Sequence, residues 1–332
     1  MAIGLSSDFK IYNEYLHTRI NEMLAQNGNV FNGASNGAIS LTTQSLRGDF
    51  QYKSFFANLG AAMASRRDTT SMAAQTDTPL VQNETISVKL NRKINTVAQT
   101  RDAFRKIFGS FSQTEFTGLV AEQVAQIMQL EMLNTGLAAV SAAQKQQTTQ
   151  YVTETSLGSI STNTLVSGLA AMGDRADRIV CWIMHSKPYY DLVKNQIAAN
   201  ITGVSNFNVA QGSPLSLGRP IIVTDSAALV SNLNSPDIND YYTLGLTQNA
   251  VVVENSEEQE VVTQDVTGLE NLALRIQGEY AYNLSLKGFR WDVNNAASGG
   301  VNPTAAALTL GTNWDPVLTD AKNRTGVSIM TL

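Results

Sequence analysis

The stretch SFSQTEFTGLVAEQVAQIMQLEMLNTGLAAVSAAQKQQ, residues 110–147, carries the strongest local-structure signal in this chain of 332 residues. Ser112 and Glu115 have the spacing of a capping box, which marks the start of a helix. The pattern predicts one helix from about residue 114 to residue 146, about 50 Å long at the usual rise per residue. Its apolar side chains recur every three or four residues, at Phe116, Val120, Val124, Ile127, Leu130, Leu133, Leu137 and Val140.

The other faces of this helix carry Ala, Gln, Ser and Thr with hardly any charge. A solvated helix face normally carries charged side chains, so this composition favours a helix that is covered by other protein. The alternative is the central core helix of an ordinary large domain, because such helices also occur in globular folds.

Two strands are predicted before this helix, at DFQYKSFF (49–56) and at ETISVKLNRKI (84–94). The second strand alternates Ile86, Val88 and Leu90 with polar residues, which is the period of a half-buried strand. If the two strands pair, the residues from 57 to 83 form an excursion far longer than an ordinary hairpin loop. We expect an excursion of this length to have a function.

Charge is unevenly spread along the chain. Residues 45–106 carry ten basic and five acidic side chains, so this segment is +5, whereas the whole chain is −5 and the remainder is therefore −10. Opposite charges on one chain can attract between copies of the same protein. A solvated basic face is the simpler alternative, because exposed ion pairs contribute little. The basic residues are Arg47, Lys53, Arg66, Arg67, Lys89, Arg92, Lys93, Arg101, Arg105 and Lys106.

The flanking segments indicate a mixed α/β chain. Residues 7–26 place Phe9, Tyr12, Leu16, Ile20 and Leu24 on one helical face, and a flexible stretch, NGNVFNGASNG (27–37), follows. Beyond the long helix, residues 160–270 predict a compact lobe. Its predicted elements are a helix at 163–176, a strand at 178–186, a helix at 186–200, and strands at 218–226, 241–246 and 250–262.

Cys181 and His185 are the candidates for nucleophile and base, because Cys181 is the single cysteine and His185 is one of two histidines. No acidic residue has the spacing of a third catalytic partner, and no HExxH motif or glycine-rich phosphate loop occurs. Ser186 is a suitable helix cap and Pro188 suits a first helical turn. We therefore interpret IMHSKPYYDLV (183–193) as a structural turn from strand to helix, with no catalytic, cofactor or metal site.

Composition excludes several protein classes. Apolar runs are shorter than the roughly 18 residues of a membrane span, and no secretion signal is visible at the amino terminus. A single cysteine fits a reducing compartment. The net charge of −5 argues against a dedicated nucleic-acid reader, which needs clustered lysine and arginine.

This order of elements resembles the major capsid proteins of tailed bacteriophages, which have the Hong-Kong-97-like fold, and is similar in character to short-tailed phage shells such as that of Bordetella phage. MHSKPYYDLV and the strand series GRPIIVTDS, YYTLGL and AVVVEN resemble parts of those shells. The resemblance implies an α+β chain with four parts. They are an N-terminal arm (1–44), an extended hairpin loop (45–96), a peripheral domain with the spine helix (97–157 and 269–332), and an axial domain of mixed α/β structure (158–268).

The resemblance further implies a structural protein, not an enzyme, that assembles as pentamers and hexamers into an icosahedral head around double-stranded DNA, contacted non-specifically. Scaffolding, portal and cement proteins are its expected partners, with no membrane. The expected location is the virion, after assembly in the bacterial host cytoplasm. Candidate inter-subunit contacts are the basic residues Arg66, Arg67, Lys89, Arg92 and Lys93 and the acidic residues Glu254, Glu257, Glu258 and Glu260.

Two alternatives remain open at the level of sequence. An encapsulin-type nanocompartment shell would share the fold but enclose cargo enzymes. An enzyme of unrecognised type would need an apolar pocket with convergent polar groups inside one subunit.

Overall fold

A computed structural model of the chain describes most of the sequence. The described residues are 20, 22, 26, 32–43, 48–57, 63–64, 66–74, 77–108, 113–153, 158–202, 217–235, 238–268, 270–294 and 300–332. The helix predicted for residues 7–26 lies largely outside them, as does Ser112 of the predicted capping box. Within the described part, Ile20 is helical and fully buried.

The described chain contains five α-helices and thirteen strands, joined in places by short 3₁₀ turns. The helices are α1 (Arg101–Phe108), α2 (Gln113–Lys145), α3 (Thr162–Met172), α4 (Ser186–Thr202) and α5 (Ala305–Leu308). The strands are β1 (Ile39–Thr43), β2 (Phe50–Phe56), β3 (Gln82–Thr100), β4 (Tyr151–Thr153), β5 (Ile179–Met184), β6 (Ile221–Val223), β7 (Val230–Ser235), β8 (Ile238–Thr247), β9 (Val251–Val266), β10 (Ala273–Leu286), β11 (Phe289–Trp291), β12 (Trp314–Pro316) and β13 (Gly326–Thr331).

A long five-stranded sheet forms one half of the molecule, in the order β1-β9-β10-β3-β2. The predicted strands at 49–56 and 84–94 do pair, as β2 and β3, so the residues between them form the expected excursion. One face of the sheet carries Val88, Leu90, Val253 and Leu284 into the core shared with α2. Successive side chains along each strand point to opposite faces of the sheet, and those on the other face are mostly polar.

A six-stranded sheet forms the second half, in the order β4-β13-β8-β5-β6, with β7 also paired to β8. Every residue of β13 is buried. A Cβ atom at Gly245 would lie 2.6 Å from the Trp182 ring, and one at Gly168 would lie 3.4 Å from it. The two glycines therefore leave the space that this indole occupies between α3 and the sheet.

Strand pairing divides the chain differently from the predicted boundaries. Strand β9 falls inside the predicted axial segment 158–268, yet it pairs with β10 and β1 in the long sheet. Strand β13 falls inside the predicted peripheral segment 269–332, yet it pairs with β8 and β4 in the six-stranded sheet. Both exchanges are long-range pairings, which local sequence pattern does not encode.

Helix α2 confirms the predicted bounds to within one residue, but the predicted apolar stripe is partly wrong. The side chains of Ile127 and Leu130 are 64% and 58% exposed. The buried stripe instead includes Ala121, Ala125 and Met128. A run of apolar residues spaced by three drifts around a helix that has 3.6 residues per turn, so the predicted stripe leaves the buried face in mid-helix.

The sequence favoured a helix that is covered by other protein, but the second half of α2 is buried within its own chain. Gly136, Leu137 and residues 139–144 are all buried by the chain itself. Small side chains at Ala139, Ser141 and Ala143 allow other elements to approach this part of the helix closely. Among the side chains of α2 that the structure describes, the exposed uncharged ones are Gln123, Gln126, Ile127 and Leu130, which all precede this buried part of the helix.

Candidate functional site

The strand-to-helix turn at residues 183–193 has the geometry of a structural feature. Cys181 is fully buried on β5, and His185 lies just after the strand ends. The backbone N–H of Lys187 donates to His185 Nδ1 at 3.3 Å, so the imidazole satisfies a donor in the first turn of α4. His185 Nε2 lies 3.5 Å from Asp225 Oδ1, and its ring contacts the ring of Tyr241.

The Cys181 thiol is not set up as a nucleophile. Burial raises its pKa to about 12, whereas a reactive cysteine needs a lowered pKa to form thiolate at neutral pH. Among the residues that the structure describes, no group of three or more His, Cys, Asp or Glu side chains could hold a metal ion. No helix in the same part of the chain combines the length and apolar character needed to cross a membrane.

The end of β2 and the excursion that follows it expose several large apolar side chains. Phe56 is 69% exposed, Leu80 is 63% exposed and Met72 is fully exposed. Arg66 and Arg67 lie between them in an irregular, exposed segment, and neither forms an ion pair within the described chain. We call the described residues 50–57, 63–64, 66–74 and 77–88 the arm, which is distinct from the N-terminal arm of residues 1–44.

Two of the five basic candidates are engaged within their own chain. Lys89 is buried, and its Nζ pairs with Glu257 Oε1 across β10. Arg92 Nε donates to Glu131 Oε1 at 2.8 Å. Lys93 is exposed and forms no ion pair among the described residues.

The acidic candidates all lie on β9. Glu254 is buried, with Oε1 3.8 Å from Lys53 Nζ, and Glu257 is the partner of Lys89. Glu260 is exposed and has no ion-pair partner in the described part of the chain, whereas the side chain of Glu258 lies outside what the structure describes. Much of the charge complementarity between the basic and acidic segments is therefore used inside one chain.

Sequence reasoning missed one densely hydrogen-bonded polar cluster in the described part of the chain. Its centre is Glu131 of α2, whose carboxylate accepts from Arg92 on β3, from the hydroxyl of Tyr282 at 2.9 Å and from that of Tyr280 at 3.3 Å, both on β10. Thr135 Oγ1 donates to the same carboxylate at 3.1 Å. Burial raises the pKa of Tyr280 and of Tyr282, and the negative charge of Glu131 adds to the effect.

This Glu131 cluster anchors the long helix to the centre of the long sheet. Two sequence signals point to it: Tyr280 and Tyr282 stand two residues apart on the core face of a strand, and Glu131 interrupts an otherwise apolar helix face. Pattern alone does not show that these elements meet, because the contacts join residues about 40 and 150 positions apart.

The comparisons with known proteins agree with this architecture. The capsid of Ralstonia phage GP4 is similar with a TM-score of 0.52 at 11% identity, over 90% of this chain and 87% of that one. The capsid of Cyanophage Pam1 is similar with a TM-score of 0.52 at 10% identity, over 87% of this chain and 88% of that one. At these identities the similarity shows the fold, which is the Hong-Kong-97-like capsid fold.

Sequence comparison extends the result from fold to family. No curated protein matches the chain. The profile of the Gp13-like family, described as "Major capsid protein 13-like", matches residues 8–328, almost the whole chain. This assignment supports the phage shell over the encapsulin alternative. The chain therefore belongs to the Gp13-like family of major capsid proteins, and it is a structural protein of the tailed-phage head.

Proposed function

We propose that many copies of this chain assemble as pentamers and hexamers into a closed icosahedral shell, and that the arm of each copy lies over a neighbouring copy. The observation that carries the proposal is the arm itself. It extends from the long sheet with Phe56, Met72 and Leu80 largely exposed, although the same chain has a well-buried core elsewhere.

Burial of these side chains against another copy would stabilise the shell more than isolated ion pairs would. Each large apolar side chain that becomes fully buried contributes about 1.5–3 kcal/mol, whereas an exposed ion pair contributes about 0–1 kcal/mol. Tyr52, which is 58% exposed on β2, is a further exposed apolar side chain of the arm. We infer that apolar burial supplies most of the interface energy and that Arg66 and Arg67 contribute to specificity.

The intrachain contacts reduce the number of residues that we propose for contacts between subunits. Arg66, Arg67, Lys93 and Glu260 keep exposed side chains with no described ion pair, so they are the residues that we propose for contacts between copies. Lys89, Arg92, Glu254 and Glu257 have partners in their own chain.

The proposal also divides the subunit into parts, and strand pairing supports this division. We propose an N-terminal arm at 1–44 and a hairpin loop at 45–96, as the sequence predicts. The peripheral domain then includes β9 beside the spine helix α2, and the axial domain includes β13.

We further propose that the shell encloses double-stranded DNA, contacts it non-specifically, and has no catalytic role. Assembly in the bacterial host cytoplasm, with separate scaffolding, portal and cement proteins, is part of this proposal. Support for it comes from membership of a major capsid protein family.

The test compares assembly with folding in two arm variants, Phe56→Ser with Leu80→Ser, and Arg66→Glu with Arg67→Glu. Val301→Ser is the matched control, because Val301 is 59% exposed but lies outside the arm. Light scattering and electron microscopy should show closed shells for the wild type and the control. Both arm variants should lose most of their shell yield while the melting temperature of the unassembled chain changes little. Normal shell yield in both arm variants would refute the role of the arm.

A further inference from the structure

Three charged residues form a row across one face of the long sheet, which we call the charged row. Glu260 on β9 lies directly opposite Glu279 on β10, and Glu279 lies directly opposite Lys93 on β3. Tyr280, the neighbour of Glu279, points to the other face, where its hydroxyl donates to Glu131 on α2. The charged row therefore lies on the face away from α2, and all three of its side chains are exposed.

The two carboxylates of the charged row repel each other. Side chains that are directly opposite on neighbouring strands have Cβ atoms about 4.5–5.5 Å apart, and like charges at this position are destabilising. Farther along the same strand, the carboxylate of Glu257 is already paired with Lys89. Glu260, Glu279 and Lys93 form no ion pair within the described chain. Two negative charges and one positive charge give the row a net charge of −1.

The arm carries the opposite pattern of charge in three consecutive residues, which we call the tip. Arg66, Arg67 and Asp68 are all exposed in a segment without regular secondary structure. Two positive charges and one negative charge give the tip a net charge of +1. The backbone N–H and the hydroxyl of Thr70 donate to Asp68 Oδ1 at 2.9 and 2.7 Å, so this carboxylate is held in place beside the arginines.

The two patterns also have similar lengths. Neighbouring strands lie about 4.8 Å apart, so the charged row extends over about 10 Å. An extended chain advances about 3.3 Å per residue, so the backbone of the tip covers about 7 Å between its first and third residues. The long side chains of the two arginines supply the remaining reach. An arginine that meets a carboxylate forms a charge-assisted hydrogen bond, which is stronger than a neutral one.

We propose that the charged row binds the tip of the arm of a second copy. Arg66 and Arg67 lie over the two carboxylates of the row, and Asp68 lies beside Lys93. This inference rests on the proposed contact of each arm with a neighbouring copy, and it names the surface that receives the tip. Glu84, another exposed carboxylate of the same sheet, lies opposite Ser54 and so provides a single charge.

Exchange of the charges between the two surfaces tests the pairing. Glu260→Lys with Glu279→Lys, and Arg66→Glu with Arg67→Glu, should each lose most of the shells that the wild type forms in electron microscopy and light scattering. The variant with all four changes should recover most of that yield, because the attraction returns with its signs exchanged.

The matched control makes the same change of charge outside the row. Asp177→Lys with Glu270→Lys replaces two exposed carboxylates and should assemble as the wild type does. The melting temperature of each unassembled variant shows whether it folds.

A cross-linking experiment shows whether the contact joins two copies. Copies with Arg67→Cys are mixed with copies that carry Glu279→Cys, both with Cys181→Ser, and the assembled shells are treated with a short bismaleimide. We expect a cross-linked dimer that contains one copy of each kind. Replacement of the second variant by Glu270→Cys should give none.

The outcomes separate this inference from the proposed function. If the wild type forms no shells, both are overturned. Shells that form normally with Glu260→Lys and Glu279→Lys, or a four-residue variant that assembles no better than Arg66→Glu with Arg67→Glu, would overturn the pairing alone. If the charge variants fail to fold, the cross-link decides, and its absence in wild-type-like shells would overturn the pairing.

Discussion

Replacement of Glu131 by alanine tests whether the Glu131 cluster holds the spine helix on the long sheet. The carboxylate links α2 to β3 through Arg92 and to β10 through Tyr280 and Tyr282. Alanine preserves helix propensity at this position, so the change removes the contacts without disturbing the helix backbone.

The expected decrease in the free energy of unfolding follows from the contacts that are lost. Hydrogen bonds to a charged group contribute about 1.5–3 kcal/mol each. Two contacts are short, with Arg92 at 2.8 Å and Tyr282 at 2.9 Å, and Tyr282 is fully buried. Partial exposure of Arg92 and Glu131 screens their attraction. We therefore expect Glu131→Ala to lower the free energy of unfolding by about 3–5 kcal/mol, and Glu131→Gln by about 1–3 kcal/mol, because glutamine keeps the shape and one acceptor.

The assay is urea denaturation of the unassembled chain, followed by far-UV circular dichroism. Glu122→Ala on an exposed face of the same helix is the matched control and should change stability by less than about 0.5 kcal/mol. Tyr282→Phe should cost about 1–2 kcal/mol alone but little more when Glu131 is already alanine, because the pair shares one hydrogen bond. A loss below about 1 kcal/mol for Glu131→Ala, or additive effects in the double variant, would refute this reasoning.

Three further predictions follow from burial. Val124→Asp should cost several kcal/mol and abolish soluble expression, whereas Ile127→Asp should be tolerated, because Val124 is buried and Ile127 is 64% exposed; equal yields would contradict the helix register. Cys181→Ser and His185→Gln should each change stability by at most about 1–2 kcal/mol, and thiol labelling of the native wild type should be slow until urea exposes Cys181. Burial lowers the pKa of Lys145 to about 8, so between pH 8 and 10.5 the unfolded chain holds more protons and the wild type gains up to about 3 kcal/mol relative to Lys145→Met as pH rises; parallel pH profiles of unfolding free energy would contradict this.

Periodic local patterns were sufficient to predict the regular elements. The repeat of apolar residues predicted α2 to within one residue, because helix hydrogen bonds join positions only four apart. Alternation around Val88 predicted the core of β3, although the strand extends at both ends to Gln82 and Thr100. The order of these elements was enough to indicate the capsid fold, and the family comparison confirmed it.

The candidate inter-subunit contacts show what a local sequence pattern cannot predict. Charge counting predicted Lys89 and Glu257 as contacts between subunits, but the sequence could not show that they pair with each other across β10 within one chain. The same limit applies to Glu131, whose partners lie on two other strands. An ion pair depends on which strands are neighbours, and that neighbourhood is a property of the folded sheet.

By itself, then, the sequence determined the elements, their order and the length of the excursion, because these follow from hydrogen bonding and side-chain alternation over short distances. Only the tertiary structure decided that β9 belongs to the long sheet, that β13 completes the other sheet, and that Ile127 faces away from the core. Those outcomes depend on which apolar surfaces are buried against each other when distant segments of the chain pack. That free energy is shared among many residues, so no local pattern encodes it.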